Sequence, residues 1–147
     1  MRLRPSRPDD LQTLFEIDQA CFIPGISYAR EELAAFIGHR RSRTWVAEEA
    51  GKIAGFLIAH REPRKIIHIV TIDVLQAWRR RKVGSLLMDA AEQWARDQDM
   101  ELIGLETAQN NLAAQRFYQA RGYRKVDEIK RYYADGTTAW VMVKDLV

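Results

Sequence analysis

Three groups of residues have types and spacing that could do chemistry. The first is the stretch WRRRKVGS, Trp78 to Ser85, where Arg79, Arg80, Arg81 and Lys82 precede Val83, Gly84 and Ser85. It sits between an apolar run, IIHIVTIDV, and a helical pattern, so it joins a strand to a helix. The first N–H groups of a helix have no internal partner, and the helix dipole adds partial positive charge there. Gly84 has no Cβ to keep an anion from the backbone, and arginines close over phosphate oxygens with paired donors. Four cations at the positive end of a dipole are unfavourable alone, so the stretch reads as a phosphate cradle rather than a solvated charge run. It lacks the Gly-x-x-x-x-Gly-Lys-Ser/Thr string of triphosphate loops, and its single glycine does not make a dinucleotide fingerprint. The second group is Asn111, Ala114 and Tyr118, whose spacing of three and then four puts them on one helix face. The third is Glu106, at the end of the apolar segment MELIGLE.

The elements that must position these groups alternate in period. MRLRP reads as a short strand, and SRPD as a Ser-x-x-Asp helix start with Pro8 in the first turn. Leu11, Leu14, Phe15, Asp18 and Phe22 continue that helix until IPGIS breaks it. Ser27 is placed to cap a second helix with Leu33, Phe36 and Ile37 on one face. TWVAEE and KIAGFLIAH read as a hairpin around Gly51, and IIHIVTIDV as a buried strand. Val83, Leu86, Leu87, Ala90, Ala91 and Trp94 make an amphipathic helix after the basic loop. MELIGLE is a strand, NNLAAQRFYQARG a short helix opened by Asn110 or Asn111 and stopped at Gly122, and YRKVDEIKRYY and TAWVMVKDL a last antiparallel pair turning at Asp135-Gly136. The expected fold is α/β (α+β): one domain over residues 1–147, a mixed, mostly antiparallel sheet with helices on both faces. One strand–helix–strand crossover, from about Ile66 to Glu106, supplies a parallel pair.

Bulk properties narrow the function classes. The chain has 147 residues, 47% of them apolar, enough for one core. No apolar stretch is long enough to cross a bilayer, and MRLRPSRPDD has no apolar segment of a signal peptide behind its charges. The lone Cys21 excludes an internal disulfide and fits a reducing, cytoplasmic setting. His39, His60 and His68 lack zinc-site spacing and read as surface or sheet residues, with no metal expected. The net charge is +3, less than the four cations of the one basic loop. Basicity so confined argues against a general nucleic-acid binder, which spreads charge along a face.

The segment IDVLQAWRRRKVGSLLMDAAEQWA resembles the coenzyme-A motif of the GNAT acetyltransferase superfamily, Arg/Gln-x-x-Gly-x-Gly/Ala, with Arg79, Lys82 and Gly84 in the Arg/Gln, first-glycine and second-glycine places. The resemblance covers essentially the whole chain. NNLAAQRFYQARGY is similar to the family pattern Asn-x-x-Ala-x-x-Leu/Phe-Tyr-x-x-x-Gly-Phe/Tyr. It implies acetyl-CoA as cosubstrate, with its pyrophosphate on the loop from Arg79 to Ser85. The pantetheine arm would run along Ile72, Asp73 and Val74, where the parallel strands splay, and Asn111 and Tyr118 would sit near the arm and the sulfur. Lys82 is the departure from the motif.

The LE-x-x-x-x-N stretch and KRYYADGTTAWVMV resemble the subgroup that acetylates protein N-termini, including ribosomal-protein alanines. That implies Glu106 as base, directly or through water, and a backbone N–H near Val74 as donor to the carbonyl oxygen. Tyr118, with a reference pKa of about 10, can donate to a thiolate of about 8.5. The loop CFIPGISY, including Tyr28, and the pair Tyr132 and Tyr133 fall where family members shape the acceptor site. Ile26-Ser27 replaces the usual Trp-Ser, so a small amine remains open beside a peptide N-terminus. Tyr132 and Tyr133, read as strand residues, alternate faces, so at most one is expected in the cleft; cross-strand packing with Trp140 is the equal alternative. The rivals are a nucleic-acid module and a non-catalytic CoA-binding fold, and the chain is expected as monomer or homodimer.

Overall fold

β-branched runs become strands, and segments with apolar residues three and four apart become helices. The computed structural model describes residues 1–147. In chain order they are β1 (Arg2–Pro5), α1 (Leu11–Cys21), α2 (Arg30–Gly38), β2 (Ser42–Glu49), β3 (Lys52–Glu62), β4 (Ile66–Val74), α3 (Val83–Asp97), β5 (Leu102–Ala108), α4 (Leu112–Ala120), β6 (Arg124–Ile129) and β7 (Ala139–Asp145). The seven strands form one sheet in the order β1-β2-β3-β4-β5-β7-β6. Every neighbouring pair is antiparallel except β4 and β5, which α3 connects. Ala50 and Gly51 both have positive φ, 52° and 76°, the backbone a two-residue hairpin needs between β2 and β3.

Two apolar cores flank the sheet. On one face Val83, Leu87, Met88 and Ala91 of α3 and Tyr118 of α4 pack with Leu57, Ile67, Ile103 and Met142. On the other, Leu14 and Ile17 of α1 and Leu33 of α2 pack with Val46, Phe56, Ile58 and Val70. The buried stripe of α3 is rotated from the expected one. It includes Met88, Ala95 and the carboxylate Glu92, which accepts from Tyr123 Oη at 3.0 Å and Lys144 Nζ at 2.9 Å. A buried polar network is invisible to apolar periodicity.

The parallel pair is short. β4 and β5 share only Ile66↔Leu102, Ile67↔Ile103 and His68↔Gly104. On its other edge β4 pairs Ile69 with Ala59 and Thr71 with Ile58, leaving Val70 as an extra residue. This bulge bends β4 and increases its twist. Beyond His68 the two strands part.

The caps expected for the first two helices are corrected. Asp10, rather than the Ser6–Asp9 pair, holds the first helical turn: its Oδ2 accepts from the Arg7 N–H at 2.7 Å. Ala29, rather than Ser27, precedes α2, and its N–H donates to Glu32 Oε1 at 3.0 Å. Asp10 also takes Arg4 in a two-pronged contact, at 2.8 and 3.0 Å, with both side chains buried. The Arg4 guanidinium holds the Asp10 carboxyl below its usual range. The stability that this shift contributes is therefore complete above the ordinary carboxyl pKa and lost as pH falls through Asp10's own lower value. Asp10→Ala is expected to cost about 3 kcal/mol, because it leaves Arg4 buried and short of a partner. A urea midpoint at neutral pH measures it.

Candidate active site

Where β4 and β5 part, a cavity of 810 Å³ opens. Its wall includes Val83, Gly84, Phe117 and Tyr118 from the α3–α4 side and Cys21, Phe22 and Tyr28 from the α1–α2 side, so it passes through the sheet.

The basic loop closes one mouth. A 3₁₀ turn, Gln76–Trp78, leads into it, and Arg80 and Lys82 have positive φ, 68° and 61°. Lys82 immediately precedes α3, and no side chain caps that helix end. The first-turn N–H groups of Val83, Gly84 and Ser85, residues that line the cavity, are thus open to an anion. Arg79, Arg80 and Lys82 line the same mouth. Arg79 is pinned by its Nε, which donates to the Val74 carbonyl at 3.1 Å. Arg81 does not join them: it stacks 4.5 Å over the Trp78 ring and pairs with Glu49 at 3.0 Å. A Cβ on Gly84 would come within 3.3 Å of Phe117, so the missing side chain also lets α4 close on the loop. The left-handed backbone of Lys82 is one that glycine adopts freely and other residues adopt at a cost of about 1–2 kcal/mol. Lys82→Gly is expected to raise stability by about 0.5–1 kcal/mol, after the larger entropy that glycine loses on folding, as read from a denaturation midpoint.

Asn111 is the cap of α4: its Oδ1 accepts from the Ala114 N–H at 3.1 Å while the residue lines the cavity. Ile72 and Val74 line the cavity as well. Asp73 does not; its carboxyl accepts from the Thr71 hydroxyl. Tyr118 is buried edge-on against Phe117 and Tyr123, with ring centres 5.3 and 5.8 Å away. Burial, with the nearby Asp73, holds its phenolic proton well above the usual tyrosine range.

Glu106 lies on the other side of the gap. Its Oε1 is 2.7 Å from His68 Nε2 and accepts from Tyr132 Oη at 3.1 Å. Burial opposes charge on His68, but the hydrogen bond and charge of Glu106 outweigh it, so His68 keeps its proton above the ordinary histidine range. Burial, then Glu106, pushes the Tyr132 hydroxyl up to about 12. The sequence reading missed His68. The signal lies in the parallel register: His68 pairs with Gly104, and Glu106, two residues further on, shares the face of Gly104.

The acceptor-side residues also differ from expectation. β6 ends at Ile129, so Tyr132 and Tyr133 lie in the following loop and do not alternate. Their rings meet edge-on at 5.0 Å and both line the cavity. Tyr28 lines it too, with its hydroxyl donating to the carbonyl of Val70 at the bulge, 3.2 Å away. The two loops meet where Ala134 N–H donates to Gly25 O at 2.9 Å. Gly25 is needed there: its φ is +93°, and a Cβ would lie 2.9 Å from the Asp135 nitrogen. No three His, Cys, Asp or Glu side chains gather as a metal site.

The chain is similar to known proteins in family and in fold. A family model described as acetyltransferase (GNAT) family matches residues 11–123. An N-alpha-acetyltransferase of Sulfurisphaera tokodaii is 26% identical over 99% of this chain and 93% of its own. One from Saccharolobus solfataricus is 35% identical over 54% of this chain, a match spanning 48% of that protein. Among solved structures, Ard1 from Thermoplasma volcanium superposes with a TM-score of 0.90 at 26% identity, covering 99% of this chain and 97% of that one. The ribosomal-protein-S18-alanine N-acetyltransferase of Escherichia coli superposes at 0.87 with 20% identity, covering 99% and 93%, and shares the fold. The splayed strands, the uncapped helix start and the matched segment together assign the chain to the GNAT family of acetyltransferases.

Proposed function

We propose that the protein is an acetyl-CoA-dependent N-acetyltransferase whose acceptor is the N-terminal amine of a protein or peptide. The observation that carries the chemistry is the division of the site by the sheet. The Glu106–His68 pair stands on one side of the gap and Tyr118 on the other. A proton acceptor and a proton donor are thus supplied to opposite ends of one reacting line.

The residues suit acetyl-CoA. The uncapped start of α3 with Arg79, Arg80 and Lys82 suits a pyrophosphate, and the unpaired stretch of β4 beyond His68 leaves backbone groups for an amide-bearing arm. Bound there, acetyl-CoA supplies an activated thioester. The chain does the rest. Glu106, directly or through water, takes a proton from the incoming amine while His68 holds the carboxylate in place. A backbone N–H near Val74 donates to the carbonyl oxygen as charge grows on it. Tyr118, protonated at neutral pH, donates to the departing thiolate as charge grows on the sulfur.

The acceptor reading is supported by relatives described as N-alpha-acetyltransferases and by the two loops whose tyrosines roof the Glu106 side. Calorimetry should give acetyl-CoA binding, and no heat at millimolar ligand would defeat the proposal at its first step. Thiol release should then be faster with peptides bearing free N-termini than with polyamines, amino acids or aminoglycosides. The reverse order would move the acceptor to the small-amine class.

A further inference from the structure

The loop that borders the acceptor side is tied at both ends to one residue. Phe22 N–H donates to the main-chain carbonyl of Asp18 at 3.1 Å, and Tyr28 N–H donates to Asp18 Oδ2 at 2.7 Å. Asp18 is fully buried. Its other oxygen, Oδ1, has no donor, and neither does Oδ2 of the buried Asp73 on β4. The two carboxyls come together between α1 and β4, where Cys21, one turn along from Asp18, reaches the Val74 carbonyl beside Asp73 at 3.5 Å, and Asp73 Oδ1 already accepts from Thr71. Two buried acceptors without donors, brought this close, are costly as a pair of anions. One proton between them satisfies both.

We propose that Asp73 is a neutral carboxylic acid whose proton bridges to Asp18 and clamps the acceptor loop, making Asp18 and Asp73 positioning residues for acetyl transfer. No cation compensates the pair. From α1 it meets the Cys21 thiol, which burial and then Asp73 push up to about 11. The Tyr28 N–H meets it from the loop, the Tyr118 phenol lies within reach of the Asp73 charge from α4, and the Arg79 guanidinium is turned to the Val74 carbonyl. Phe56, its partner on β3, is apolar. Burial and the Asp18 carboxyl hold Asp73 well above the carboxyl range, against the Thr71 hydroxyl. The consequence for the acceptor rests on the proposed function; the proton itself does not.

The folded chain keeps a proton that the unfolded chain releases. The contribution is complete below the ordinary carboxyl pKa and is lost progressively as pH rises to Asp73's own raised value. Asp73→Asn supplies an amide donor that never ionises. Its folding equilibrium should gain on wild type by up to tenfold per pH unit through that window. At neutral pH the infrared spectrum of wild type should carry a protonated-carboxyl stretch that Asp73→Asn lacks. Hydrogen exchange across Phe22 to Tyr28 should be as slow in Asp73→Asn as in wild type, and at least tenfold faster in Asp73→Ala. Parallel stability–pH curves, no protonated-carboxyl band, or equal loop exchange in the two variants would each overturn the proposal. The band is read on wild type, so a variant that fails to fold leaves a decisive measurement. None of these readouts needs turnover, so an inactive enzyme and an absent proton are told apart.

Discussion

Tyr118→Phe is expected to lower kcat by about a hundredfold while the dissociation constant for acetyl-CoA stays within about twofold of wild type. The variant keeps the ring that packs against Phe117 and Tyr123 and removes only the hydroxyl. The folded state should therefore change by no more than about 1 kcal/mol, the worth of an ordinary hydrogen bond. The hydroxyl matters when the thiolate leaves. A phenol of reference pKa about 10 is a slightly weaker acid than a thiol of about 8.5, and burial weakens it further, so it stays protonated through neutral pH and donates only as charge develops. Stopped-flow or steady-state kinetics beside calorimetry separates the two quantities. Turnover equal to wild type would remove Tyr118 from the mechanism.

Much of this site follows from local signals, and the remainder needs register. The helix carrying Asn111 and Tyr118 is readable because cap, spacing and stop agree: Asn111 accepts from Ala114, and Gly122 takes a φ of 94° that suits it to end a helix. The basic loop is readable because charge accumulates at a change of period from strand to helix. Its internal division is not. Arg79, Arg80 and Arg81 are adjacent and alike in sequence, yet Arg81 leaves for Trp78 and Glu49 because the backbone reverses hand at Arg80. The departure of Lys82 from the motif is a backbone matter, a left-handed residue ahead of α3.

Two features were closed to a single-strand reading. The gap between β4 and β5 depends on the extra residue at Val70, which nothing in IIHIVTIDV marks, since every position there is compatible with an even strand. His68 becomes a partner of Glu106 only once the strands lie parallel with His68 opposite Gly104. Tyr132 and Tyr133 were misjudged for the opposite reason: their β propensity is real, but the strand stops at Ile129 and the chain turns toward Gly25 instead.

Glu106→Gln carries the other large expectation, a fall in kcat/KM of about 10²–10⁴-fold, the range for loss of a general base. The amide has the shape of the carboxyl and can still accept from Tyr132, so the cleft should hold its form. What it cannot do is take a proton, or hold one on His68. In wild type the pull of Glu106 lifts His68 above its ordinary pKa against the effect of burial. The charge on protonated His68 makes the neighbouring carboxylate a poorer base, so activity should rise as pH climbs through that raised histidine value. With glutamine in place the upward pull is gone and burial alone acts, so His68 should lose its proton at lower pH. The residual rate of Glu106→Gln should then have its ascending limb shifted to lower pH or abolished, and the His68 ring resonance should titrate lower by NMR. A variant with an unchanged pH–rate profile would show that Glu106 is not the base. Lower activity with the limb intact would leave it as a residue that shapes the acceptor cleft with Tyr132.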